Sequence, residues 1–138
     1  MPVWTVNEIG IAIAAGAATV IGFIWYVPAL AGKAWSDATG ISGEKMRATM
    51  RIRVVFVLTM AVLQATVLST VITVSGGTGI GAGVITSLFL WLPIFAATAL
   101  NLTYEARPFA LLWIYGGHGF ITFAAMGAIL GWWRDVVS

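Results

Sequence analysis

One histidine, His118, lies in the stretch LLWIYGGHGFITF, residues 111–123. Around it the spacing is suggestive. Tyr115, His118 and Thr122 stand at i, i+3 and i+7, so on a helix they line one face as a hydrogen-bonding stripe. His118 is also the side chain there whose ordinary protonation range lies near neutral pH. The chemistry open to this stripe is binding a small solute or relaying a proton. The plainer alternative is a neutral imidazole tied to Gln64, Thr19 or a backbone carbonyl, which holds helices together. Other chemistries lack their parts. There is no cysteine, which removes thiolate metal sites, disulfides and cysteine nucleophiles. One histidine without cysteine makes no standard metal site. The five carboxylates, Glu8, Asp37, Glu44, Glu105 and Asp135, sit at segment ends or in loops. No nucleophile–base pair, P-loop or dinucleotide fingerprint is present. The residues therefore predict a protein that is not an enzyme and carries no cofactor or metal.

The elements that must hold this stripe are apolar. Hydrophobic residues make up 60% of the 138 and charged residues 9%, against about 45–50% and about 25% in soluble domains. The mean hydropathy is +0.98. The net charge of +2 is too small for a nucleic-acid footprint. Four stretches reach the roughly 20 apolar residues that span a bilayer: about 9–30, 54–74, 81–103 and 109–133. Each is expected to be a helix, because a lipid-exposed segment must satisfy its own backbone hydrogen bonds. The prediction is an all-α, four-helix transmembrane bundle with antiparallel neighbours, forming one domain over 1–138. The first span follows no basic residue and is too long for a signal core, so it is read as a helix rather than a cleaved leader.

Residues 31–53 form a basic loop with Lys33, Lys45, Arg47, Arg51 and Arg53, and Arg107 falls on the same face. The positive-inside rule then makes that face cytoplasmic and puts both termini outside, in the plasma membrane. Trp4, Trp132 and Trp133 would mark the outer interface, and Trp25, Tyr26, Trp35 and Tyr104 the inner one. Ser42 is placed to cap a helix running through GEKMRATMRIR.

Depth places the polar residues together. Gln64 lies 11 residues past Arg53, and His118 lies 10 past Pro108. At about 1.5 Å per residue both sit roughly 15 Å from the cytoplasmic end, with Thr19 and Pro93 at similar depth. A polar partner for His118 is expected there, Gln64 or Thr19, because an unpaired imidazole in hydrocarbon is costly. Gly116, Gly117 and Gly119 remove bulk beside His118, so a neighbouring helix is expected to approach. Gly127 and Gly131 form a GxxxG pair, and Gly10, Ala14, Ala18 and Gly22 repeat at steps of four. These are packing signals, expected mainly within the chain. Leu130, near the outer end, is expected to face lipid. Thr59, Thr66, Thr70 and Thr73 share one face of the second span, opposite Gln64. Either they bond back to their own helix, the commoner case, or one face meets another subunit.

Two stretches carry a family resemblance: WYVPALAGKAW (residues 25–35) and YEARPFALLWIYGGHGFITFAAMGAILGWW (residues 104–133). They resemble the domain-of-unknown-function family 1761, small bacterial and archaeal membrane proteins. Its first helix ends in a pattern like WYxPxxFGKxW, and its last carries a glycine–aromatic–histidine patch followed by MGAILG. Trp25, Tyr26, Pro28, Gly32, Lys33 and Trp35 match the first pattern, and Val27 and Ala31 depart from it. Tyr115, His118, Met126 and Gly127 match the second, with a spacing change at Gly116–Gly117. The resemblance implies a compact four-helix membrane unit and supplies no activity. Physically, the first motif reads as an interfacial anchor, with Pro28 ending the helix, Gly32 turning the chain and Lys33 reaching lipid headgroups. A ligand site beside Arg107, Glu105 and Asn101 is the other reading. The combined expectation is an oligomeric bundle that binds or passes a small solute or ion across the bilayer. The alternative is a non-catalytic accessory or assembly subunit of a larger membrane complex. The expected partners are the lipid bilayer and a second copy or a larger complex, and no nucleic acid.

Overall fold

The structure, a computed structural model, describes residues 7–137. Its elements are α1 (Glu8–Trp25), a kinked turn over Pro28–Gly32, α2 (Lys33–Thr39), α3 (Gly43–Ala48), α4 (Met50–Val74), α5 (Gly79–Tyr104) and α6 (Ala110–Val137). Among the described residues there is no strand. Four of the helices, α1, α4, α5 and α6, are long and apolar enough to cross a membrane. The chain is thus an all-α four-helix bundle. Trp4 and Ser138 lie outside the described residues.

The first helix is shorter than the predicted 9–30. It ends at Trp25 because Pro28 lacks the amide that would continue the ladder, and Leu30 then takes non-helical angles (φ −109°, ψ −112°). The turn falls at Leu30, and Gly32 is itself helical (φ −61°, ψ −41°); its part is to allow close approach, since a Cβ there would strike the Tyr26 carbonyl. The basic segment 31–53 is mostly helical rather than a loop. Its α2 is closed by Gly40 at φ +73°. Ser42 caps α3, its Oγ accepting from the Lys45 amide at 3.2 Å. A break at Thr49 separates α3 from α4, so Arg51 and Arg53 belong to the first turns of α4.

The α4–α5 hairpin uses left-handed Gly76 (φ +76°) and Gly79 (φ +85°), a backbone region that glycine enters without a Cβ penalty. Arg134, near the end of α6, locks this hairpin. Its Nη1 donates to the carbonyls of Ile72 at 2.9 Å, which Ser75 Oγ also reaches at 2.8 Å, and Gly77 at 2.7 Å, groups without a backbone partner at the end of α4 and the turn.

In the packing, α6 is central. It lies along α5 on one side and α1 on the other, while α4 leans on α1 and touches α5 and α6 less. The core sets Ala14, Ala15 and Ala18 of α1 and Ala61, Ala65, Leu68 and Ile72 of α4 against Phe123, Met126 and Leu130 of α6. The lipid-facing assignment of Leu130 is therefore wrong. It is 2% exposed, because it shares a helix face with Phe123 and Met126, at i, i+3 and i+7. The α1 repeat packs within the chain as expected. Gly10 meets the Trp133 indole, and Gly22 meets the His118 ring.

The α5–α6 interface closes on small residues towards the hairpin end. A Cβ on Gly83 would strike the Gly127 carbonyl, one on Gly127 would strike Ser87 and the Gly83 carbonyl, and one on Gly131 would strike the Gly79 carbonyl. Here the GxxxG pair brings backbone onto backbone inside one chain. The outer face of α5 is left bare, with Ile85 72% and Phe89 73% exposed, as a helix does where lipid is its neighbour.

Candidate functional site: a cleft in the bundle floored by α6

Towards the basic end, the same two helices separate. Large rings fill the space beside the α6 glycines: a Cβ on Gly116 would run into Phe95, one on Gly117 into Trp25, and one on Gly119 would come within 2.7 Å of Trp91 Nε1. The glycines around His118 thus admit aromatic side chains. The expected close approach of a neighbouring backbone happens instead at Gly127 and Gly131.

Between α4 and α5, above α6, this leaves a cleft of about 180 Å³. Gln64 of α4, Trp91, Phe95 and Thr98 of α5, and Tyr115, His118 and Thr122 of α6 are among its lining residues. Gln64 is exposed and Trp91 half-buried. Four of the five ligand candidates, Gln64, Tyr115, His118 and Thr122, therefore meet at one place, as the α6 stripe requires.

Thr19 does not join them. Its Oγ1 donates back to the Ala15 carbonyl at 2.9 Å. Neither it nor Gln64 hydrogen-bonds His118, contrary to expectation. The reason is the length of α1. It stops at Trp25, so Gly22 rather than Thr19 stands opposite His118, and a Cβ built there would lie 3.4 Å from Nε2. The Tyr26 ring covers the imidazole at 5.4 Å between centroids, inclined at 57°. Nε2 is buried and has no hydrogen-bond partner among the described residues.

The threonines supply a second orphan. Thr59, Thr66, Thr70 and Thr73 of α4, and Thr98 and Thr103 of α5, each donate to the carbonyl four residues earlier, at 2.7–2.9 Å. The α4 hydroxyls are thus satisfied without a second subunit. Thr122 departs from this habit. It is 4% exposed, lines the cleft, and its Oγ1 is buried without a partner among the described residues. A buried hydroxyl left unpaired costs about 1–3 kcal/mol.

The WYVPALAGKAW segment folds onto the same region. Trp25 Nε1 donates to the Ile114 carbonyl at 3.1 Å, and Trp35 Nε1 donates to the Tyr115 hydroxyl at 3.3 Å. Tyr26 and Trp35 meet edge to face at 6.4 Å. These rings bond to and pack on α6, while Lys33 remains exposed. The two resembling stretches therefore build one cluster, with His118 and Tyr115 at its centre. A second hollow of about 180 Å³ lies behind Tyr115, with Trp35, Thr39, Leu102, Glu105 and Arg107 on its walls. Arg107 and Glu105 pair there at 3.6 Å, both well exposed.

Sequence reasoning missed Trp91, Phe95 and Thr98. Their i, i+4, i+7 spacing on the third span was available as a signal, and so were the glycines facing them. Among the described residues no three His, Asp or Glu side chains come together. The polar groups at hand suit hydrogen bonding to an organic ligand.

These features define a multi-pass helical membrane protein with a cleft in its bundle wall. The chain belongs to the family described as protein of unknown function (DUF1761), whose model matches residues 9–131. No curated protein and no solved structure matches the chain.

Proposed function

We propose that this protein binds a small molecule in the cleft between α4 and α5 and is not itself an enzyme. The observation that carries the reading is Thr122: a buried, unpaired hydroxyl on the cleft floor, in a chain whose neighbouring threonines satisfy themselves. A ligand atom would remove that cost. His118 of α6 and Gln64 of α4 line the same cleft as further hydrogen-bonding groups. The basic residues gather at one end, on α2, α3, the start of α4 and Arg107, which supports a plasma-membrane topology with that end cytoplasmic and both termini outside. Passage of a proton or solute is the extension of this reading, with His118 as the titrating group. It predicts a pH-dependent flux in liposomes that His118→Gln abolishes while the fold is retained.

The test of binding is native mass spectrometry of the gently extracted protein. The wild type should carry a small-molecule adduct, and Thr122→Leu should lack it at an unchanged melting temperature. Identical adduct spectra for the two would overturn the reading. The same spectra test the second reading, an accessory or self-associating subunit. That reading is favoured by the bare α5 face around Ile85 and Phe89 and predicts higher-mass assemblies.

A further inference from the structure

We infer that the ligand class of this cleft is a planar carbonyl compound dissolved in the bilayer, a quinone ring; this rests on the binding reading above. Three observations converge on it. First, access: α4 and α5 pack lightly against each other at the cleft, and Gln64 and Ile94 on its two sides are exposed. Both belong to spans, so the opening faces hydrocarbon and admits lipid-soluble molecules. Second, shape: the walls are rings. Trp91 and Phe95 stack at 5.0 Å and 31°, held against α6 where Gly116 and Gly119 have no side chain. Flat aromatic walls favour a flat ligand in offset or edge contact. The volume of about 180 Å³ is below the about 300–1,000 Å³ of drug-sized pockets, so it takes one small planar ring system, of one or two fused rings, and leaves any tail in lipid.

Third, polarity. An indole N–H can only donate. Trp91 makes ring contacts with Phe95 and Phe120, and its Nε1, lying over Gly119, has no hydrogen bond among the described residues. A donor that cannot accept selects a ligand with an acceptor oxygen and rejects an ammonium group. The Thr122 hydroxyl supplies a second donor and the Gln64 amide a third. A ring bearing carbonyl oxygens at its edges meets these requirements together. The proposal is one of binding, and no electron or proton transfer is part of it.

The experiment is equilibrium dialysis of the full-length protein in lipid nanodiscs with menadione, against 2-methylnaphthalene, which keeps the ring system and has no carbonyl. Menadione should bind saturably, and 2-methylnaphthalene at least tenfold more weakly, the ratio that a lost hydrogen bond of about 1.4 kcal/mol implies. Trp91→Phe keeps an aromatic ring but removes the donor and one ring of the indole, and it should weaken menadione about tenfold more than it weakens 2-methylnaphthalene. Thr98→Phe, which extends a half-buried wall into the cleft, should abolish binding without lowering the melting temperature. Equal binding of the two probes, or an unchanged ratio between them in Trp91→Phe, would overturn the quinone assignment. If menadione does not bind while native spectra still show an adduct that Thr122→Leu lacks, this inference fails and the binding reading stands. If both are absent, both fail.

Discussion

The two halves of the α5–α6 interface use the same small residue for opposite ends. Towards the hairpin, backbone meets backbone: Gly79, Gly83 and Ser87 lie on Gly127 and Gly131, and a Cβ on Gly83, Gly127 or Gly131 would enter a backbone carbonyl or the Ser87 side chain. Towards the basic end, glycine meets aromatic: Gly116 and Gly119 receive Phe95 and Trp91. The first pairing draws the helix axes together and leaves no room. The second sets aromatic rings between them, and those rings wall the cleft that opens towards α4. A glycine in a membrane helix therefore specifies closeness only when its partner is also small. The residue opposite decides whether it makes a seam or a site.

The largest expected effect breaks the seam. Gly127→Leu puts four carbons where the Gly83 carbonyl and Ser87 lie, and neither can swing away. We expect loss of the folded bundle, read as the absence of a cooperative melt in detergent, beyond the about 1–3 kcal/mol typical of overpacking. Gly119→Leu meets instead the Trp91 indole, which has the cleft to move into. It should fold with a loss of about 1–3 kcal/mol, its ligand site blocked. Similar melting curves for the two would mean that the halves do not differ in rigidity.

Next in size is Leu130→Ala. Its side chain is 2% exposed among alanines, Met126 and Phe123, so truncation should cost about 2–5 kcal/mol. Thermal unfolding should therefore rank Leu130→Ala at or below Gly119→Leu in stability, the reverse of what an outer-end position on a membrane helix suggests. A Leu130→Ala melting temperature within a degree or so of wild type would return that side chain to lipid.

Arg134→Ala tests the seam from its end. Removing Nη1 strands the Gly77 carbonyl and takes a charged donor from the Ile72 carbonyl, which keeps the Ser75 hydroxyl. The expected loss is about 1.5–3 kcal/mol, the range for hydrogen bonds made by a charged group. Hydrogen exchange should rise over residues 72–79 while the amides of α6 around His118 keep their protection. Uniform loss of protection would show that the two halves unfold as one.

Much of this was legible beforehand. The four spans follow from hydrophobic length, and the meeting of Gln64, Tyr115, His118 and Thr122 follows from helical spacing and depth. What failed was the assignment of partners. Counting along a first helix that reaches residue 30 sets Thr19 opposite His118. Pro28 ends that helix early, and the turn folds Trp25, Tyr26 and Trp35 back onto α6. Leu130 failed for a related reason: depth in a membrane says nothing of which side of a helix faces protein. The apolar residues are everywhere, so the burial pattern that amphipathicity reveals in soluble helices is weak. Aromatic side chains opposite glycines, as at Trp91 and Gly119, were invisible because the pairing exists only once the helix register is known.

The smallest expected effect lies at the turn closing the cleft end of α5. The hairpin end of α5 uses Gly79 at φ +85°, whereas the other end passes through Ala106 at φ +51°. The Arg107 amide there donates back to the Leu102 carbonyl at 3.0 Å, the six-to-one bond of a glycine-type helix stop. A Cβ in the left-handed region costs about 1–2 kcal/mol, and glycine gives back roughly 0.4–1 kcal/mol of that through the freer unfolded chain. Ala106→Gly should therefore raise stability by about 0.5–1 kcal/mol on these two figures. It touches no residue of the cleft, so adduct retention in native spectra should be unchanged. A fall in stability would mean that Ala106 is held by a methyl contact outweighing its backbone strain. A gain in stability with loss of adduct would mean that the cleft depends on strain in this turn, and that its open shape is not set by the rings against Gly116 and Gly119 alone.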